Sequence, residues 1–301
     1  MLNKFTLSTP SGDSTASDES WRLATQWLET CTSQHSICTG NQMTVPWYPT
    51  GLIDIGESIT ADVRLIVTSE SSPNGPYVTL SHCWGSARSL QLTSSSLADL
   101  KLLILVGDLP RTFKESFEVT RRLGLRYIWI DSLCIIQDSK DDWLHEAALM
   151  HKVYSHSYCT IAAAASGDGY QGLFRHRAPH FLYPSEIEIP WLSRTGKYQL
   201  IDYDFWSSQV QDQPLHRRGW VVQERLLAPR VLHFSSQQLL WECCELDAAE
   251  KYPRGLPTVL ASSGGALFKG LDPQKDGPRL HRISEEDPHP KFTLTKSGTR
   301  S

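Results

Sequence analysis

Residues 126–166 read RYIWIDSLCIIQDSKDDWLHEAALMHKVYSHSYCTIAAAAS, and the fold turns on them. The first piece, RYIWID, is a short apolar run that stops at a carboxylate, Asp131. The middle piece has acids in its first turn, which suits the positive end of a helix dipole. Its apolar residues Trp143, Ala147, Met150 and Tyr154 recur at helical spacing and predict a packed stripe. YCTIAAAAS is a second apolar run, closed by Ser166-Gly167-Asp168-Gly169. Upstream, YVTLS (77–81) follows the turn residues Asn74-Gly75-Pro76 and reads as a strand. PRTFKESFEVTRRLGL carries Phe113, Phe117, Val119 and Leu123 on one helical face and ends at Gly124. Strand, helix, strand, helix, strand predicts an α/β fold with a parallel sheet flanked by helices.

The flanks are less regular. Residues 1–20 are rich in Ser, Thr and Asp and are expected to form a flexible N-terminus. Residues 21–60 hold a helix, with Trp21, Leu23, Ala24, Trp27 and Leu28 on one face, and a Pro/Gly-punctuated connector into a short strand. The main domain is expected over 61–250. Within it YQLIDYDF is strand-like, RGWVVQERLL helical, and RVLHFSSQQLLWEC a hairpin or strand pair. Residues 251–301 combine Gly, Pro, Ser and Lys with few apolar residues, so a disordered tail is expected there.

Composition bounds the function. With 40% hydrophobic residues and ten tryptophans, the chain can build a sizeable core. A net charge of -4 and a pI near 6.3 argue against nucleic-acid binding, which needs a basic surface. LKLLILVG is too short to span a bilayer, and the N-terminus lacks an apolar signal core. Seven cysteines in no disulfide-scaffold pattern point to a reducing, cytoplasmic setting.

Ligands of open parallel sheets bind beyond the carboxyl ends of the strands. Those ends are Ser81-His82-Cys83-Trp84-Gly85, Asp131-Ser132 and Ser166 to Gly169, with no dinucleotide or P-loop glycine motif among them. Ser81, Trp84, Gly85 and Asp131 are therefore candidate ligand contacts, although Trp84 also suits packing and Asp131 a helix or turn cap. Among the histidines, His82 stands out by its place at a strand end. Ser81 and His82 are adjacent, an unsuitable geometry for a hydrolase triad, and no Gly-x-Ser-x-Gly elbow occurs. Glu146 is expected on a solvated helix face.

Two further constellations carry chemistry. Arg217-Arg218-Gly219-Trp220-Val221-Val222-Gln223-Glu224 sets a carboxylate four residues after an indole. Glu224 is either a structural charge paired with Arg217, Arg218 or Arg225, or the acid of a site walled by Trp220, with Arg218 as a ligand contact. Cys31-x3-His35-x2-Cys38 has metal-ligand residue types, but a structural zinc site needs four donors and only three are local. The adjacent pair Cys243-Cys244 suits chelation by both side chains poorly.

Taken together, YVTLSHCWG, YIWIDSLCIIQD with its continuation MHKVYSHSYCTIAAA, and RGWVVQERLL resemble, in order, the three blocks of the fungal heterokaryon incompatibility (HET) domain family. The resemblance spans roughly 20–245, and the segments WLETCTSQHSIC and TGLIDIG look like the preamble of such domains. It implies a role in non-self recognition and programmed cell death, with homo- or hetero-association of domain surfaces. It also implies a TIR-like, flavodoxin-like fold with added helical and β insertions. Some TIR domains hydrolyse NAD with a glutamate in a Trp-Cys-x-x-Glu-like helix. Trp220 to Glu224 keeps that spacing with Val221 in the cysteine's place, so NAD is the implied substrate if the chain is an enzyme. A carboxylate beside the ribose would stabilise the oxocarbenium-like charge. The family commonly carries a long C-terminal region, and its brevity here leaves a truncated copy without its own function as a further expectation.

Overall fold

Four parallel strands, each buried along its whole length, make the centre of the sheet. The computed structural model describes residues 12–40, 46–85, 90–183, 185–191, 194–261 and 269, all within the unit Met1–Lys269. Most of the expected tail, and residues 1–11, lie outside the described residues.

Chain order runs α1 (Asp18–Ser33), α2 (Ser36–Gly40), β1 (Gly51–Asp54), β2 (Arg64–Val67), β3 (Tyr77–Ser81), α3 (Leu97–Leu102), α4 (Arg111–Arg122) and β4 (Tyr127–Trp129). It continues with α5 (Asp131–Cys134), α6 (Lys140–Ser155), β5 (Cys159–Ala162), β6 (Ser185–Trp191), β7 (Arg194–Leu200), α7 (Gly219–Leu227), β8 (Arg230–Phe234), β9 (Leu239–Cys243), β10 (Asp247–Ala249) and α8 (Thr258–Ala261). Eight strands form one sheet in the order β10-β9-β8-β5-β3-β4-β1-β2, while β6 and β7 pair separately.

The expected parallel sheet needs one correction: the sheet is mixed. β4, β3, β5 and β8 are parallel, but β1 joins β4 antiparallel, and β2, β9 and β10 extend the edges antiparallel. Short connections explain the β1–β2, β8–β9 and β9–β10 pairs, since a few residues can turn a chain back but cannot cross over a sheet. Because β3 lies between β4 and β5, the strand order reverses there.

The elements form for local reasons. Ser17 caps α1 by accepting from the Ser20 amide at 3.2 Å, and Asp18 and Glu19 fill its first turn. The α1 face of Trp21, Leu23, Ala24, Trp27, Leu28 and Cys31 is buried, as its spacing predicts. Pro110 precedes α4, and Gly124 closes it at φ +75, where a side chain would be strained. Phe113, Phe117 and Val119 of α4 enter the core.

Two expectations fail by rotation or by contact. On α6 the inward face is Glu146, Val153 and Tyr154, while Trp143 is 49% exposed. Glu146, expected in solvent, is only 1% exposed. Periodicity gave the helix but set its face too far toward the indole. Within the segment expected to be flexible, Thr15 and Ser20 are fully buried, and Ser14 bridges to His176.

The reason is a buried ion pair. Arg177 donates to both carboxylate oxygens of Glu250, at 3.0 Å from Nη2, and the same Nη2 donates to Ser20 Oγ at 2.9 Å. Glu250 also accepts from the Leu239 amide at 2.8 Å. Arg177 thus ties the start of α1 to the loop beyond β10. Removing one partner of such a pair leaves a buried charge uncompensated. Arg177→Met is expected to cost about 3–5 kcal/mol in chemical denaturation, and adding Glu250→Leu to recover part of the loss.

Candidate functional site

The site is assembled where β3 and β4 end and α7 crosses them. α7 packs through Val221 and Ala228 in a small apolar cluster with Cys83, Ala162, Leu215 and Val231. Val221, Glu224, Arg225 and Ala228 form its inward face at helical spacing, so seating the apolar members carries Glu224 inside. Glu224 is 4% exposed. Its Oε2 accepts from Ser81 Oγ, the last residue of β3, and the Tyr154 phenol of α6 lies near the same carboxylate.

Burial holds the Glu224 carboxyl above the usual carboxylate range. The negative charge of Asp131 pushes the same way, while the Ser81 and Tyr154 hydroxyls and the Arg218 cation oppose it. Burial also pushes the Tyr154 phenol well up, helped by the Glu224 charge. A buried carboxyl with perturbed affinity for its proton, bonded by one hydroxyl and near another, is the kind of group that exchanges a proton with a bound ligand.

Asp131 supplies the second carboxylate. Its Oδ2 accepts from Trp84 Nε1 at 2.9 Å and its Oδ1 from the Ser132 amide at 2.7 Å. Asp131 is the first residue of α5 rather than its cap, which is Ile130 without a side-chain bond, and its carboxylate meets the next amide and the Trp84 indole. Trp84 likewise has a structural task in orienting Asp131. His82 is buried, with Nδ1 at 4.0 Å from Asp131 Oδ1 and no hydrogen-bond partner for that nitrogen among the described residues. Burial lowers its proton affinity and Asp131 opposes this, so the net shift is downward and the ring is neutral at pH 7. Phe113 packs edge-on against it at 5.1 Å.

Arg218 donates through Nη1 to the His82 carbonyl, which fixes the entry of α7 against the β3 end. Gly85 has φ +70, and a Cβ there would sit 2.5 Å from Asp168 Cβ. Only glycine permits that approach of the β3 end to the loop after β5. Gly85 is exposed, and Trp84 and Asp131 are half-buried, so the cluster reaches the surface on their side.

The strand-end candidates and the Glu224 helix are separate constellations in the sequence, and the fold joins them through Ser81 to Glu224 and Arg218 to the His82 carbonyl. Trp220 differs: it is 59% exposed while Glu224 one turn later is buried. The buried partners of Glu224 are hydroxyls rather than the arginines weighed above. Tyr154 was legible only as a packing residue, since nothing in its spacing shows that its hydroxyl meets α7. Ser81 bonds Glu224, which agrees with excluding a serine triad through His82. An open cavity lies elsewhere, lined by Asp54, Arg64 and Arg126 among others, and none of these candidate residues lines it.

The second expected constellation also assembles. Cys31, His35 and Cys38 come together, and Cys243 joins them. Adjacent Cys243 and Cys244 suit chelation by both side chains poorly, but only one of the two is needed. No motif spacing links residue 38 to residue 243, so only the fold reveals the fourth donor.

An α/β sheet with a polar cluster at its parallel strand ends defines the class. Residues 77–224 match the family model described as heterokaryon incompatibility protein (HET), and the match supports placing this segment in the HET family. The matched segment begins with the first residue of β3 and ends on Glu224, so it encloses the whole cluster. No curated protein and no solved structure matches the chain. No helix among the described residues is long and apolar enough to cross a membrane.

The raised proton affinity of Glu224 sets the sign of its effect on stability. Its folded-state affinity for a proton exceeds that of the unfolded chain, so the native state holds a proton that the unfolded state has released above about pH 4.5. Stability therefore falls as pH rises through that window. Glu224→Gln is expected to melt higher than wild type at pH 7, by about 2–4 °C per kcal/mol relieved, with the difference vanishing as pH approaches 4. Thermal melts across that range read it directly.

Proposed function

We propose that this chain is a heterokaryon incompatibility-type module for non-self recognition, coupled to programmed cell death. The observation that carries this is the family match over 77–224, which encloses the strand-end cluster from Ser81 to Glu224. A TIR-like, flavodoxin-like arrangement is supported by the parallel core, whose strands lie in the order second, first, third, fourth along the chain. Association, with a second copy or another chain, is supported by exposed apolar side chains on two helices that pack together, Trp143 and Leu144 on α6 and Trp220 and Val222 on α7. Expression of the full chain in a fungal host is expected to arrest growth when the incompatible partner is present, and not otherwise. Equal growth in both backgrounds overturns the reading.

A second reading, an NAD-hydrolysing enzyme, is favoured by one observation: a buried carboxyl, Glu224, bonded by one hydroxyl and near another, beside the strand ends where the sheet order reverses. Glu224 would stabilise the oxocarbenium-like charge on the ribose, as carboxylates do in glycoside cleavage. Purified wild type is expected to release nicotinamide from NAD at high protein concentration, with Glu224→Gln folded but at least about 100-fold slower. Absence of release from the wild type removes the enzyme reading and leaves the recognition module standing.

A further inference from the structure

Cys31 lies near the end of α1, His35 in the corner before α2, Cys38 in α2, and Cys243 is the last residue of β9. Their four donor atoms all lie within 4.8 Å of one another. His35 Nδ1 stands 3.4 Å from Cys243 Sγ and 3.9 Å from Cys38 Sγ. Tetrahedral zinc with Zn–S bonds of about 2.3 Å places its sulfurs about 3.8 Å apart, so the donor set needs only a slight contraction to close on an ion. The three cysteines are buried and form no disulfide.

We infer that Cys31, His35, Cys38 and Cys243 form a structural zinc site. Three thiolates and one imidazole are a soft donor set in a four-coordinate arrangement, which selects zinc over calcium, magnesium or manganese. All four positions are taken by protein, so no coordination site remains open for catalysis. The local triad Cys31-x3-His35-x2-Cys38 sits on one short corner, and the fourth ligand comes from 205 residues further on, counting from Cys38 to Cys243. The ion therefore staples the N-terminal helices to the antiparallel flank of the sheet.

The surroundings suit that role. Arg230, itself 2% exposed, donates through Nε to Cys31 Sγ at 3.1 Å and through Nη1 to the Tyr158 carbonyl at 3.0 Å. A cation hydrogen-bonded to a ligand sulfur offsets the excess negative charge of three thiolates on a divalent ion and orients that sulfur. Binding converts three thiols to thiolates and releases their protons to solvent. Cys244 lies beside Cys38 but is not among the four donors that lie within 4.8 Å of one another, so the site does not require it.

The test uses the purified full-length chain, grown with zinc and freed of loose metal by gel filtration. Elemental analysis is expected to find about one zinc per chain, lost in Cys31→Ser and Cys243→Ser and kept in Cys244→Ser. A substituted ligand can prevent folding, so the wild type carries an independent measurement. A zinc chelator is expected to lower its melting midpoint, zinc alone to restore it, and cobalt to give the thiolate-to-metal absorption of a tetrahedral site. Metal-free wild type with an unchanged melt overturns the inference, as does a Cys31–Cys243 disulfide in mass spectra. Zinc retained by both ligand variants, or lost from Cys244→Ser and kept by Cys243→Ser, overturns the ligand set.

Discussion

The central strands are buried on both faces, and everything polar in this protein is arranged around that constraint. An unpaired polar side chain is costly on a doubly covered strand. Within β3 and β5 the exception proves the cost: Thr79 and Thr160 sit opposite each other and bond at 2.7 Å. At the ends of β3 and β4, Ser81, His82 and Asp131 gather. α7 then covers those ends, and the carboxyl it carries inward must find donors there. Ser81 supplies one, and the Tyr154 phenol lies near the same carboxylate.

α7 cannot rotate to relieve Glu224, because its neighbour is anchored too. Arg225 Nε bonds Glu242 Oε2 at 2.7 Å, and His233 Nε2 lies 3.1 Å from the same oxygen. Burial would raise the proton affinity of Glu242, but the arginine and the histidine hold it well below the usual carboxylate range. Glu224 and Arg225 thus face two different buried partners, one at the β3 end and one on β9. Buried pairs of this kind add little net stability, yet each fixes an orientation that apolar packing alone leaves loose.

β9 links the two clusters of the molecule. Glu242 takes the ion pair from α7, and Cys243, the next residue, meets the Cys/His corner of α1 and α2. Consecutive strand residues point to opposite faces, so one short strand serves both. A polar strand-end cluster and a metal-type corner are thereby held in fixed relation through the sheet.

The alternation of elements between residues 77 and 166, the inward faces of α1 and α4, and the strand-end position of Ser81 and Asp131 were all legible in the sequence, because periodicity and turn chemistry are local. The parallel core followed from that alternation. The antiparallel edges did not, since pairing partners such as β1 with β4 are chosen by what remains exposed after the core forms. The same limit governed the sites. Trp220 and Glu224 share a helix, but only the packing of Val221 and Ala228 decided that the carboxyl is buried and the indole largely exposed. Tyr154 joining Glu224, Arg177 joining Glu250 and Cys243 joining the N-terminal triad each bridge distant parts of the chain. Local spacing determined which residue types were available; which of them meet was decided by tertiary burial, because a buried polar group must be satisfied by whatever donor the fold brings near.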